Sequence, residues 1–344
     1  MEEKFHIEDS RLLTKLNEAY GININSIDFI PMGDSAYSYI VHGGGGQRFY
    51  AKLFDLHNDR QRKSAQRLSR YLPLTWHLYH RKLFQNLAYP IKTRHGEWYA
   101  TFHEVTVALF NYIEGETLAD AYPFSDDILR SIAKTTAAIR RTTPYLDPAL
   151  LAKESYDISF QSDLESCLSL LESAQRFDNE SKQSLRELVL PKKELILKLL
   201  KLVRELRGKA VSSPADMVLC HGDLWGGNII LRDSEMYVID WEAAIIAPPE
   251  FDLFGYIGAG FDVFLSEYEN KVGQRVTIDF DLIRFYCYRR HLRNLTDWLM
   301  NILYRNKAKA QDDNDLEMIA YHCMNRWDGI EPNVDMAKAI ANKR

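Results

Sequence analysis

Residues 219–252 read LCHGDLWGGNIILRDSEMYVIDWEAAIIAPPEFD, and their order decides how the rest of the chain is read. An apolar run ends in His221, Gly222 and Asp223, and Asn228 follows five positions after the aspartate. A second apolar run, Tyr237–Ile239, delivers Asp240. Either aspartate alone would pass for an ordinary turn residue. The ordered set says more, because phosphoryl transfer asks little covalent chemistry of a protein. It requires an aligned hydroxyl, charge-neutralising groups across the phosphates and a carboxylate to take the proton. An amide and a carboxylate together suit Mg²⁺, a hard cation that prefers oxygen ligands and keeps phosphates and waters in its shell.

Working outward, the chain before this stretch changes character once. Ser10–Tyr20 has helical spacing, with Leu12, Leu13, Leu16 and Tyr20 on one stripe and Ser10 as a candidate cap. Three strand-like runs follow, IDFIPMG, AYSYIVHG and QRFYAKLF, the last two separated by Gly43–Gly46, which reads as a flexible hairpin turn. A polar helix is expected over Asp59–Leu72, then strands around Tyr89–Lys92 and Trp98–Phe110. From Asn111 the pattern is mostly helical: Ile128–Arg141, a hairpin over Asp157–Arg176 and Ser181–Arg207 interrupted by Pro191, then Asp281–Tyr304 and Asp313–Arg326. The expectation is an α+β fold of two lobes, a small β-rich lobe over 1–110 and a larger helical one over 111–344.

Composition narrows the function classes. The 344 residues carry 43 Lys and Arg against 48 Asp and Glu, a net charge of −5, which argues against a nucleic-acid binder. Four cysteines lie far apart with no C-x-x-C pair, so buried thiols in a reducing cytosol fit better than disulfides or a zinc site. No apolar stretch has membrane-spanning length, and the charged start MEEKFHIEDSRLL lacks a signal-peptide core, so a cytoplasmic protein without membrane contacts is expected. His77 and His80 read as core or surface residues rather than a metal pair, and Arg289–Arg293 as a solvated helix face.

The pattern H-G-D-x-x-x-x-N followed by I-D-W resembles the aminoglycoside phosphotransferase and choline kinase superfamily, relatives of protein kinases, and implies their bilobal fold and ATP with Mg²⁺ as cofactors. By this resemblance Asp223 is the catalytic base, Asn228 and Asp240 hold the metal, His221 props the catalytic loop and Asp252 braces it. Lys52, ending RFYAKLF, matches the lysine on the α- and β-phosphates. The turn containing Gly33, Asp34 and Ser35 sits where the nucleotide-positioning loop lies. Asn111 and Ile113 fall at hinge positions whose backbone pairs with adenine. One departure stands out: no glutamate lies between Leu53 and Gly96 to pair with Lys52, leaving Asp59, Gln61 or Gln66 as substitutes.

Between Asp240 and Asp252 there is no Ser, Thr or Tyr and no room for a protein kinase's activation segment, so a small molecule rather than a protein is the expected substrate. MYVIDWEAAIIAPPEFDLFGYIG is similar to spectinomycin phosphotransferases, a likeness that carries an association with antibiotic resistance, whereas HGDLWGGN alone is similar to fructosamine kinases. An aminoglycoside- or aminocyclitol-like cationic acceptor ranks first, a fructosamine, other sugar or amino alcohol second, and a non-catalytic nucleotide-binding module is the rival from another class. Asp262, Glu267 and Glu269 are candidate contacts for ammonium groups, or a solvated helix edge. Trp225 walls the acceptor pocket or packs beneath the loop.

Overall fold

The computed structural model describes residues 4–31, 36–147, 151–212 and 215–344. They form two compact units, residues 1–153 with 218–246 and residues 154–217 with 247–344.

In the first unit, helix α1 (Asp9–Tyr20) starts at Glu8 without a side-chain cap, so Ser10 lies inside the first turn. It stops at Gly21, whose positive φ lets its N–H reach the Asn17 carbonyl at 2.9 Å. Strands β1 (Ile24–Ile30), β2 (Tyr37–Gly43) and β3 (Arg48–Asp55) form an antiparallel meander. Gly45 and Gly46 take positive φ in the β2–β3 turn, as the glycine run predicts. Leu12, Leu16 and Tyr20 of α1 pack on Tyr39, Val41, Ala51 and Leu53, one face of the sheet. Strand alternation therefore sends Ser38, Tyr50 and Lys52 to the other face.

Helix α2 (Asp59–His80) runs eight residues beyond the expected end, straight through Pro73. Its start is capped by Asn58, which accepts from the Arg60 and Gln61 amides. Proline removes one helical hydrogen bond, but Leu72, Leu74 and Leu78 are all fully buried, and that burial outweighs the local penalty. His77 and His80 sit in an aromatic group with Trp76, Tyr79 and Tyr89. Short strands β4 (Pro90–Ile91) and β5 (Ala100–Phe102) and the longer β6 (Val105–Asn111) complete the sheet in the order β1-β2-β3-β6-β4, with β5 pairing β6.

Strand β7 (Glu116–Thr117) and helix α3 (Asp126–Arg141, capped by Ser125) lead out of this sheet. After the excursion of 154–217, the chain returns with β8 (Val218–Cys220), β9 (Ile229–Arg232) and β10 (Glu235–Val238). A small sheet in the order β10-β9-β7 ties the returning hairpin to the first part of the unit.

The second unit is helical. The expected hairpin over 157–207 is three helices, α4 (Gln161–Ser173), α5 (Glu180–Val189) and α6 (Lys193–Ser212), with Pro191 in the break. Then come the short α7 (Glu250–Leu253), α8 (Phe261–Val272), α9 (Phe280–Met300), α10 (Lys309–Glu317) and α11 (Ile330–Asn342). All four cysteines are free and buried, and no helix of the described residues is long and apolar enough to cross a membrane.

The basic run on α9 corrects the expectation of a solvated face. Arg293 is exposed, but Arg289 points inward and forms a two-pronged pair with Glu154 at 3.0 and 2.7 Å, both side chains about 5% exposed or less. Phe285 and Tyr286 lie under the guanidinium at 4.8 and 5.1 Å. Removing one member of such a pair strands a buried charge, so Glu154→Leu is expected to lower unfolding free energy by about 3–5 kcal/mol. Urea denaturation measures this, and an unchanged midpoint would show the pair to be dispensable.

Candidate active site

The returning hairpin builds the site because each critical side chain follows a buried strand. Leu219 and Cys220 of β8 are buried, so the loop after them leaves a fixed point. His221, fully buried, donates from Nε2 to the Ile239 carbonyl at 3.0 Å, since a carbonyl can only accept. Its Nδ1 accepts from the Asp223 amide at 3.4 Å. One imidazole thus links the Asp223 loop to the residue before Asp240.

Asp223 is half-buried, and the Asn228 side-chain amide reaches both its backbone oxygen at 2.8 Å and its carboxylate Oδ2 at 3.0 Å. The five-residue spacing is closed by a tight turn over Gly226–Asn228. The two glycines there serve different neighbours. A side chain on Gly226 would collide with the Leu118 backbone, and one on Gly227 with the Trp225 indole. The Tyr122 hydroxyl also accepts the Gly226 amide at 3.0 Å. Trp225, beside the Asp223 loop, is 43% exposed, so it is not a core residue.

Asp240 adopts a left-handed backbone, φ 60° and ψ 60°, a conformation more accessible to Asp than to most side chains. Its Oδ1 accepts from Lys52 Nζ at 2.8 Å, joining two residues 188 positions apart. Burial works against the charge on both partners, but their mutual attraction prevails, raising the Lys52 pKa and holding the Asp240 carboxyl below its ordinary value. None of the three substitutes expected for the missing glutamate takes this place. Asp59 pairs with Arg62, and Gln61 accepts the Asp55 amide; among the described residues Lys52 makes no hydrogen bond except to Asp240.

Sequence reasoning missed Glu242. It follows I-D-W by one residue, and its Oε1 accepts from Ser64 and Arg67 of α2, each at 2.9 Å. The carboxylate that joins α2 to the returning hairpin thus comes from the hairpin, and a glutamate next to the motif with none on the helix was the available signal. Asn111 and Tyr89 exchange two bonds, Tyr89 N to Oδ1 at 2.7 Å and Asn111 N to the Tyr89 carbonyl at 3.2 Å, while Ile113 is buried. Gly33, Asp34 and Ser35 lie outside the described residues.

The second unit holds the remaining candidates. Asp252 is buried on α7. On α8, Asp262 is exposed, Glu267 is half-buried, and Glu269 is held by Arg344 at 2.9 Å and by the Val276 amide at 3.1 Å.

Mg²⁺ takes one or two carboxylates and leaves much of its shell to phosphate and water. Asp240 Oδ2 and Asn228 Oδ1 have no protein partner among the described residues, while their sister atoms are fixed by Lys52 and Asp223. Two oriented, uncommitted oxygens fit such an ion. They would not fit one that needs an all-protein cage, and the described residues contain no cluster of three His, Cys, Asp or Glu able to form it.

The sequence pattern of a family described as the phosphotransferase enzyme family matches residues 26–281. No curated protein matches the chain in sequence. Among solved structures, a spectinomycin phosphotransferase in complex with ADP and spectinomycin superposes with a TM-score of 0.75 at 20% identity, covering 98% of this chain and 99% of that one. An amicoumacin kinase in complex with AMP-PNP and Ca²⁺ gives 0.61 at 15% identity, covering 98% and 94%. An ethanolamine kinase from Plasmodium vivax gives 0.54 at 14% identity, covering 88% and 83%. At these identities the likeness is one of fold.

Proposed function

The chain belongs to the phosphotransferase enzyme family, and on that premise we propose that it transfers the γ-phosphoryl group of ATP, with Mg²⁺, to a hydroxyl of a cationic small molecule resembling an aminoglycoside or aminocyclitol. The reading divides the chain into a nucleotide-binding lobe over 1–110 and an acceptor lobe over 111–344. The observation that carries it is the Asp223–Asn228 contact at 3.0 Å set beside the Lys52–Asp240 pair at 2.8 Å. These contacts support a carboxylate held as a base and a cation held as a phosphate ligand.

In this reading Asp223 takes the proton of the acceptor hydroxyl as its oxygen bonds to the γ-phosphorus. The bond from that phosphorus to the β–γ bridging oxygen breaks, and ADP leaves. Asn228 orients the Asp223 carboxylate, so the base need not be ordered during reaction. Lys52 binds α- and β-phosphate oxygens, and Asp240 Oδ2 with Asn228 Oδ1 would hold Mg²⁺, which supplies charge neutralisation across the phosphates. Asn111 and Ile113 present backbone groups to adenine, and Gly33, Asp34 and Ser35 are candidate phosphate contacts. His221 and Asp252 support the loop. The exposed Trp225 ring offers a flat face to a ring-shaped or cationic acceptor, with Asp262, Glu267 and Glu269 as candidate ammonium contacts. The spectinomycin complex of the structural relative supports the aminocyclitol class.

The test is γ-labelled ATP and Mg²⁺ offered with spectinomycin, other aminoglycosides, fructosamines, choline and methylthioribose. Label on spectinomycin or an aminoglycoside, absent with Asp223→Ala, is the expected result. Label on a fructosamine or choline instead would move the acceptor class. With neither transfer nor nucleotide binding, a non-catalytic kinase-like module replaces this reading.

A further inference from the structure

Helix α2 turns a buried stripe of Ser64, Leu68 and Tyr71 inward, spaced i, i+4 and i+7. The first of these touches Glu242, and α2 packs on both β3 and the turn at 241–243. Tyr71 continues the stripe two turns further on. Its ring is buried, and its hydroxyl finds no hydrogen-bond partner among the described residues. A buried hydroxyl left this way costs stability and calls for an explanation. The phenol is surrounded by charge: burial raises its pKa, Lys52 opposes that, and Glu242, Asp240 and Tyr50 add to it.

Lys52 is the complementary case. An ammonium has three N–H donors, and among the described residues this one gives a single bond, to Asp240 Oδ1. Tyr50, on the same sheet face, has already given its hydroxyl to Ser38 at 2.6 Å, and Ser38 pairs directly across from Lys52. An under-used donor and an unused acceptor therefore belong to the same buried neighbourhood.

We propose that Tyr71 is a positioning residue for Lys52: with nucleotide bound, its hydroxyl accepts an N–H of the ammonium and holds it toward the phosphates while Asp240 serves the metal. This rests on the roles proposed above for Lys52 and Asp240. It explains why a helix without glutamate can still orient the lysine, and why an unsatisfied hydroxyl is retained in the core.

The test is a double-mutant cycle on the full chain with Tyr71→Phe, Lys52→Met and the pair, read by calorimetric Mg·ADP affinity and by the melting temperature of the ligand-free protein. Tyr71→Phe removes only an unsatisfied oxygen, so its melting temperature should equal or exceed that of the wild type. Its Mg·ADP affinity should nonetheless fall about tenfold, the scale of a lost hydrogen bond to a charged group. On the Lys52→Met background the same change should cost nothing further. Unchanged affinity, an equal loss with and without Lys52, or a drop in melting temperature would each overturn the proposal. A wild-type protein that fails to bind Mg·ADP would instead bring down the proposed function, and does so before any substitution is made.

Discussion

Asp223→Ala is expected to bind Mg·ATP about as tightly as the wild type while transferring phosphate about a hundred- to ten-thousandfold more slowly, the range contributed by a positioned general base. The separation follows from the contacts. The Asp223 carboxylate is bonded to the Asn228 side-chain amide, whereas the proposed phosphate contact is Lys52 and the proposed metal oxygens are Asp240 Oδ2 and Asn228 Oδ1. Removing the carboxylate leaves Asn228 its bond to the Asp223 backbone oxygen at 2.8 Å, so the turn should keep its shape. Single-turnover transfer beside equilibrium nucleotide binding measures both halves. Near-native turnover would remove Asp223 from the base role; lost binding would place it among the nucleotide ligands.

For Asp240→Ala both quantities should fall together. The substitution deletes the oxygen proposed for the metal and leaves Lys52, 12% exposed, without its partner. A buried ammonium lacking its carboxylate is disfavoured in the charged form, so the phosphate-binding charge suffers as well. Turnover should drop by about a thousandfold or more, the upper end for a lost electrostatic stabiliser, and the benefit of Mg²⁺ to nucleotide binding should vanish. A Mg²⁺ titration of ATP affinity in wild type and variant decides it. If the metal still tightens ATP binding in the variant, the metal assignment is wrong.

Legibility in the sequence followed the range of the interactions. Asp223 and Asn228 could be read because a five-residue spacing closes within one turn, and Asp240 because an apolar strand delivers it. Lys52 was readable through its match to the family's lysine at the end of the third strand, and its neighbours Ala51 and Leu53 face the α1 core. The partners of Lys52 and Arg289 were not. A run of arginines on a helix carries no local mark that one will meet Glu154, 135 positions away. Likewise, no rule of spacing tells that Ser64 and Arg67 find Glu242. The continuation of α2 past Pro73 failed for a related reason: local propensity argued for a stop, and burial of three leucines, a tertiary effect, decided otherwise.

The first unit is discontinuous, and this bears on how the protein is made. Its sheet is encoded early, but β9, which pairs with β7, lies beyond the excursion of 154–217. A ribosome adding about 5–20 residues per second needs about ten to forty seconds to travel from Lys52 to Asp240. During that time the nascent unit carries an ammonium with no carboxylate and a β7 strand with no strand to pair with. Closing so long a loop is also the slow kind of step in folding. Translation pauses or chaperone supply should therefore bear most heavily on the interval before residue 246, while β7 and Lys52 wait for their late partners.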